Sequence, residues 1–204
     1  MATYYWVGGS GTWDNASTTN WSATSGGSGG AGVPTIADDV VFDVNSGTSG
    51  TVTTASGRLA RCRNFLSTSA APVIFTGGTL DVYGSFQLLG GYFSTVFDVY
   101  IFMSVSQTTG IVLSSARTIR YLNISNNTSL QTTVTLNSSI TTIEDFFLGV
   151  SLIPSAIYSI TCGRIELTGT YFGPRVLGSA SFLLTVNLNP TLNSYILTDN
   201  WTNA

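Results

Sequence analysis

Gly77-Gly78-Thr79-Leu80-Asp81-Val82-Tyr83-Gly84 is the stretch from which the rest of the chain is read. Glycines bound it, and apolar Leu80 and Val82 flank the charged Asp81. Alternation in so short a run, closed by turn residues, marks a strand with one buried side. Leu80 and Val82 are therefore expected inward and Asp81 outward. An apolar residue followed by a charge recurs as Ala60-Arg61, Leu80-Asp81, Phe97-Asp98, Ile119-Arg120, Ile143-Glu144 and Ile165-Glu166. From about residue 50 onward, short runs rich in Val, Ile, Phe, Tyr and Thr are separated by Gly, Ser, Asn and Thr clusters. Such runs suit a pleated, half-buried surface, and no longer window carries a 3.6-residue period.

A repeat near twenty residues made of short strands is what stacked β-coils require. The expected fold is all-β: a right-handed parallel β-helix, or β-solenoid, of about six coils. It is assigned to residues 47–204 and includes a C-terminal cap. One strand spacing of ~4.8 Å per coil gives a rod of roughly 25–30 Å. Expected inward positions are Leu80, Val82, Phe97, Val99, Ile119, Tyr121, Ile143, Ile165 and Leu167. Arg61, Asp81, Asp98, Arg120, Glu144 and Glu166 would then form one charged ladder on an outer face. Neighbours about 5 Å apart attract or repel by a few tenths to 1 kcal/mol. Asp98 beside Arg120 is favourable, and Asp81 beside Asp98 calls for compensation by Arg61 or a cation.

Residues 1–46 read differently. Trp6, Trp13 and Trp21 lie among Gly, Ser, Thr and Asn, too little aliphatic material for a core of its own. A stack of strands has ends that must be covered, and this segment is expected to cap one of them through Trp6, Trp13, Asp14, Asn20 and Trp21. Asp199-Asn200-Trp201-Thr202 echoes Thr19-Asn20-Trp21-Ser22, so Trp201 is expected in a second cap or in contact with a neighbouring subunit. Asn before Trp turns the chain while the indole covers apolar surface.

Only 8% of the 204 residues are charged, and all seven basic residues are Arg, with no Lys and no His. Soluble proteins usually carry ~25% charged residues, so part of this surface is expected to be buried in an assembly. Residues 1–57 hold Asp14, Asp38, Asp39 and Asp43 and no base. No basic patch tracks a phosphate backbone, which argues against nucleic acid. Val176 to Thr198 is uncharged but broken by Asn, Ser and Pro, which argues against membrane insertion. Met1-Ala2-Thr3 shows no secretory pattern. Cys62, flanked by Arg61 and Arg63, is expected to be an inward, free thiol.

Without His, Ser-His-Asp, Cys-His and imidazole–metal devices are excluded; without Lys, Schiff-base and P-loop chemistry. Carboxylates remain. Val40, Phe42 and Val44 share one face of a strand and Asp39, Val41, Asp43 and Asn45 the other. Asp39, Asp43 and Asn45 carry hard oxygens of the kind Ca²⁺ takes, though a solvated outer face is the preferred reading, and no cofactor is expected. Asp81 with Asp98 on adjacent coils has the residue types of a retaining glycosidase, whose carboxylates lie ~5–5.5 Å apart. No cleft or tuned acid accompanies them, so enzyme activity is not expected. Tyr92, Phe93, Tyr171 and Phe172, near Gly turns, are candidate sugar-stacking platforms.

The leader Trp6-Val7-Gly8-Gly9-Ser10-Gly11-Thr12-Trp13-Asp14, with Asn20-Trp21 and Asp38-Asp39-Val40-Val41-Phe42-Asp43, resembles the start of β-solenoid structural proteins of tailed-phage virions. Cys62-Arg63-Asn64-Phe65 and Gly77 to Gly84 are similar to the first coils of the same proteins. The resemblance implies a non-enzymatic virion component: a capsid decoration protein, a head fibre or a short tail-fibre module. It also implies a homotrimer, contacts with other virion proteins and with host surface glycans, and assembly in the host cytoplasm. Related leaders in bacterial surface proteins keep an adhesin module as the alternative, and a polysaccharide depolymerase using Asp81 and Asp98 stands behind that.

Overall fold

A computed structural model describes residues 1–68, 70–94, 97–103, 111–113 and 119–126, together with eight later strands. The described part is all-β, with no helix among the described residues. The strands, in chain order, begin with β1 (Thr3–Trp6), β2 (Gly11–Trp13) and β3 (Trp21–Ser22). There follow β4 (Asp39–Phe42), β5 (Thr51–Thr54), β6 (Arg61–Cys62), β7 (Phe65–Ser67), β8 (Ile74–Gly77) and β9 (Thr79–Val82). Next come β10 (Phe86–Leu88), β11 (Tyr92–Phe93), β12 (Asp98–Met103), β13 (Ile111–Leu113) and β14 (Tyr121–Asn126). The later strands are β15 (Thr133–Leu136), β16 (Ile140–Thr141), β17 (Asp145–Leu148), β18 (Ser151–Pro154), β19 (Tyr158–Cys162), β20 (Arg164–Leu167), β21 (Leu184–Leu188) and β22 (Ile196–Thr198).

Successive strands are dealt to different sheets, except that β3 and β4 both belong to the first. The first sheet runs β18-β15-β13-β10-β7-β4-β1-β3, the second β11-β8-β5-β2, the third β22-β20-β17-β14-β12-β9-β6, and a fourth holds β16, β19 and β21. Pairing is parallel throughout except at one end, where β3 runs antiparallel to β1, with Trp6 opposite Trp21. From β1 to β12 parallel neighbours are three strands apart in chain order, whereas β12 and β14, β13 and β15, β19 and β21, and β20 and β22 pair with a single strand between them.

The alternation seen in sequence places the core. In β5, Val52 and Thr54 are buried and Thr53 is exposed; in β9, Leu80 and Val82 are fully buried. Phe97, Val99 and Ile119 are buried as expected. Tyr121 is not: it is half-buried, and Leu122 and Ile124 turn inward instead. Ile119 and Tyr121 would share a face in one unbroken strand, but the chain bends at Arg120, whose N–H donates to the Phe97 carbonyl at 3.2 Å. The bend shifts the two-residue phase by one. Ile165 and Leu167 hold, through Phe146 and Leu148, the register positions of Leu122 and Ile124. Ile143 lies outside the described residues.

Val44 is a second correction. It is 63% exposed, although Val40 and Phe42 beside it are fully buried. The strand stops at Phe42, where Asp43 turns the chain by accepting the Asn45 N–H at 2.8 Å. A short polar side chain that bonds its own backbone two residues on competes with further ladder formation.

The Trp-rich segment is more than a lid, because β1 and β2 are themselves the first strands against β4 and β5. Only β3 reverses direction. Trp6, Trp13 and Trp21 are completely buried, Trp21 meeting the other two edge-to-face at 4.9 and 5.1 Å between ring centroids. Phe42 packs on all three and passes the column on through Phe75 (4.8 Å), Phe93 (5.0 Å from Phe75) and Phe97 (4.4 Å from Phe93). Such ring pairs add about 0.5–1.5 kcal/mol each beyond the area they bury. The glycines here allow close approach. A Cβ on Gly8 or Gly11 would run into the Asn20 side chain, and one on Gly50 into the backbone of Gly9.

Candidate functional site: the outer face of the third sheet

Cys62, Val82, Ile101 and Ile124 point one row of the third sheet inward, all fully buried. The alternate positions make the outer face. One outer row runs Arg61, Asp81, Tyr100 and Asn123; Phe147 and Glu166 follow Asn123 in backbone register. The next row runs Thr79, Asp98, Tyr121.

This register corrects the expected ladder. Arg61 does lie opposite Asp81, but Asp81 then lies opposite Tyr100, and Asp98 opposite Thr79. Asp98 is thus displaced by two residues from its expected rung, a slip that keeps it on the outer face. Arg120 still reaches it from the bend, with Nε to Oδ1 at 2.7 Å and Nη2 to Oδ2 at 2.6 Å. Glu166 sits between Phe147 and Leu197 in register, and Glu144 lies outside the described residues.

Arg61 lies opposite Asp81 as expected, and a second arginine joins it. Arg58 reaches down from the turn before β6 and binds both carboxylate oxygens, Nε at 3.1 and 3.0 Å and Nη2 at 2.8 Å. Its guanidinium carbon lies 4.1 Å from the ring centroid of Tyr100 and 4.9 Å from that of Phe102. The result is a covered ion pair: the Asp81 side chain is only 8% exposed, against 44% for Arg58. Burial pushes the Asp81 carboxyl above its ordinary range, opposed by the Arg58 bonds and the charges of Arg58 and Arg61. The bond to Asp81 holds Arg58 above its already high value. Arg58 adopts φ 60°, a left-handed conformation uncommon outside glycine.

Around this pair lies an aromatic patch. Tyr83 and Phe102 are 5.2 Å apart, Tyr100 and Phe102 6.3 Å, Tyr100 and Tyr121 5.5 Å, and Asn123 donates to the Tyr121 hydroxyl at 3.1 Å. Burial, then Tyr121 and Asp98, push the Tyr100 phenol up. Sequence reading missed this patch and Arg58. The signal was present: Asp98, Tyr100 and Phe102 share one parity, as do Asp81 and Tyr83.

The other expected sites are placed as follows. Asp14 accepts the N–H groups of Ala16 and Ser17 at 2.9 and 2.6 Å, and the Asn20 carbonyl accepts the Val7 N–H at 2.9 Å. Trp201 lies outside the described residues, as do Tyr171 and Phe172. Phe93 is buried in the aromatic column, not offered as a platform. Asp39, Asp43 and Asn45 are not assembled into an oxygen cage. Arg63 and Asn64 hold Asp39 at 2.6–2.8 Å, while Asp43 accepts from Ser25 and from the Asn45 backbone. No group of three metal-binding side chains occurs among the described residues. Asp81 and Asp98, each clasped by its own arginine and set in different rows, do not oppose one another.

Asp38 is the remaining buried acid. It accepts the Ala2 N–H at 2.7 Å and the Thr35 hydroxyl at 2.7 Å. Burial acts to raise its pKa, but these bonds outweigh it and leave the carboxyl below its ordinary value. Cys62 is a free thiol that burial pushes well above its ordinary value, so it is inert in the folded chain. No helix among the described residues is long and apolar enough to cross a membrane. Comparison with known protein families, with curated proteins and with solved structures finds no match to this chain.

Proposed function

We propose that this chain is a non-enzymatic structural component of a tailed-phage virion. It is built as a right-handed parallel β-solenoid of stacked coils, assembles as a homotrimer, and joins capsid or tail proteins through its low-charge faces. The observation that carries this reading is the strand order, with parallel neighbours recurring after each pass through the sheets and a Trp-rich antiparallel strand closing one end. Rigidity follows from that construction, since every rung shares its ladder bonds with two neighbours and the column from Trp6 to Phe97 ties the rungs together.

The chemistry on the outer face supports a scaffold and not a catalyst. Asp39, Asp81 and Asp98 are each held by an arginine of the same chain, Arg63, Arg58 and Arg120. The phage setting rests on the resemblance of the leader and of Gly77 to Gly84. The test is a native mass by light scattering over a dilution series, with antibody labelling of particles by electron microscopy. A dilution-resistant trimer that labels capsid or tail is the expected result. A monomer at every concentration, with no labelling of particles, overturns the proposal.

A further inference from the structure

The geometry points to the outer face of the third sheet as the surface on which a second copy of this chain packs. The inference rests on the assembly proposed above and names its contact. The centre of the face is aromatic, formed by Tyr83, Tyr100, Phe102 and Tyr121, all partly exposed. Among the described side chains its charges pair within the chain, Arg58 against Asp81 and Arg120 against Asp98, while the exposed Arg61 lies at the rim on β6. An aromatic centre whose charges are neutralised, with polar residues at the edge, is the composition of protein–protein contacts, where Tyr, Phe and Arg are enriched and Lys depleted. At its aromatic centre two copies would meet side chains whose charges are already paired.

A seven-stranded sheet with ~4.8 Å between strands about four residues long offers roughly 450 Å² of backbone face, a little over half of the ~800 Å² per partner of a standard interface, so the adjoining faces would share the contact. Arg58 decides between a protein and a saccharide as occupant. It already lies on the rings of Tyr100 and Phe102, the surfaces a sugar would stack upon, and Tyr121 is tilted 47° from Tyr100, so no flat platform remains.

The test places a charge in the face. Asn123→Lys and Tyr83→Lys are compared with Thr53→Lys, which puts the same charge on the exposed side of β5. Native mass is read over a dilution series, with far-UV circular dichroism as the check on folding. The face variants should dissociate at a concentration at least tenfold higher than wild type, and Thr53→Lys should not. Oxidative footprinting of the wild-type chain covers the case in which a variant fails to fold. Tyr83, Tyr100 and Tyr121 should be protected at high concentration and modified on dilution. A wild-type oligomer whose face variants keep its mass, or whose tyrosines stay open, overturns this inference and leaves the proposed function standing. So does loss of glycan binding in the variants with the mass unchanged. A wild-type monomer removes the assembly itself.

Discussion

Arg58 closes on Asp81 from a turn 23 residues earlier, and it does so from a left-handed backbone position. The bidentate clasp and the two rings beneath the guanidinium offset the cost of that conformation, which for a non-glycine residue is of order 1–3 kcal/mol. The carboxylate it covers has almost no access to water.

Arg58→Ala should therefore destabilise the fold. Breaking a buried pair costs ~3–5 kcal/mol; with Arg58 44% exposed, about 1–3 kcal/mol is expected here after allowing for solvent. Asp81→Asn, which leaves a neutral group under the arginine, should cost less. Urea unfolding midpoints of the two variants decide it; equal midpoints with wild type would show that the clasp contributes nothing.

Acid stability should carry opposite contributions from Asp38 and Asp81. The folded-state pKa of Asp38 lies below its ordinary value of 3.8. Its contribution is then present above that pH and lost as pH falls through the depressed value, where the unfolded chain binds the extra proton. For Asp81 the folded pKa is raised, so protonation between the ordinary and the raised value favours the folded chain. Asp38→Asn should flatten the loss of stability below about pH 4, and Asp81→Asn should not. Unfolding free energies measured from pH 2 to 6 supply the comparison.

Trp21→Ala should cost about 3–5 kcal/mol, the usual range for an aromatic removed from a core, because Trp21 touches Trp6, Trp13, Tyr4 and Phe42 at once. The indole N–H of Trp21 meets no acceptor among the described residues, while that of Trp6 donates to the Gly9 carbonyl at 2.8 Å. Tryptophan emission should be blue-shifted in the folded chain and move red on unfolding, with the shift reduced in Trp21→Phe.

Gly50→Ala and Gly78→Ala should differ sharply. The added methyl group meets the Gly9 backbone in the first and open space in the second. Overpacking against backbone costs about 1–3 kcal/mol, whereas an unobstructed surface change stays within about 0.5 kcal/mol. Thermal midpoints of the pair measure how tightly the first turn is seated on the next strand.

Much of this was legible from local pattern. The parity of Leu80, Asp81 and Val82 placed the core because a strand leaves only two faces to choose between. The ladder slipped at Asp98 for the same reason: a shift of two residues preserves parity, so no pattern of faces distinguishes the two registers. Tyr121 was misplaced because the bend at Arg120 resets the phase, and a bend made by backbone bonds leaves no mark on hydrophobicity. Arg58 was invisible since its partner is 23 residues away and its own turn reads as solvent. The Trp segment was read as a capping or attachment segment outside the strands because its own strands are short and poor in aliphatic residues. Trp6 and Trp13 replace that aliphatic volume with indole.

The reversal of β3 has one more consequence. In the language of polymers, a parallel strand ending in open bonds is a living end, able to accept the first strand of another chain and to grow without limit. With Trp21 running against Trp6, the next unit would have to enter with the wrong polarity over two crossed indoles. This end of the first sheet is quenched: growth of that sheet by another parallel strand stops at β3.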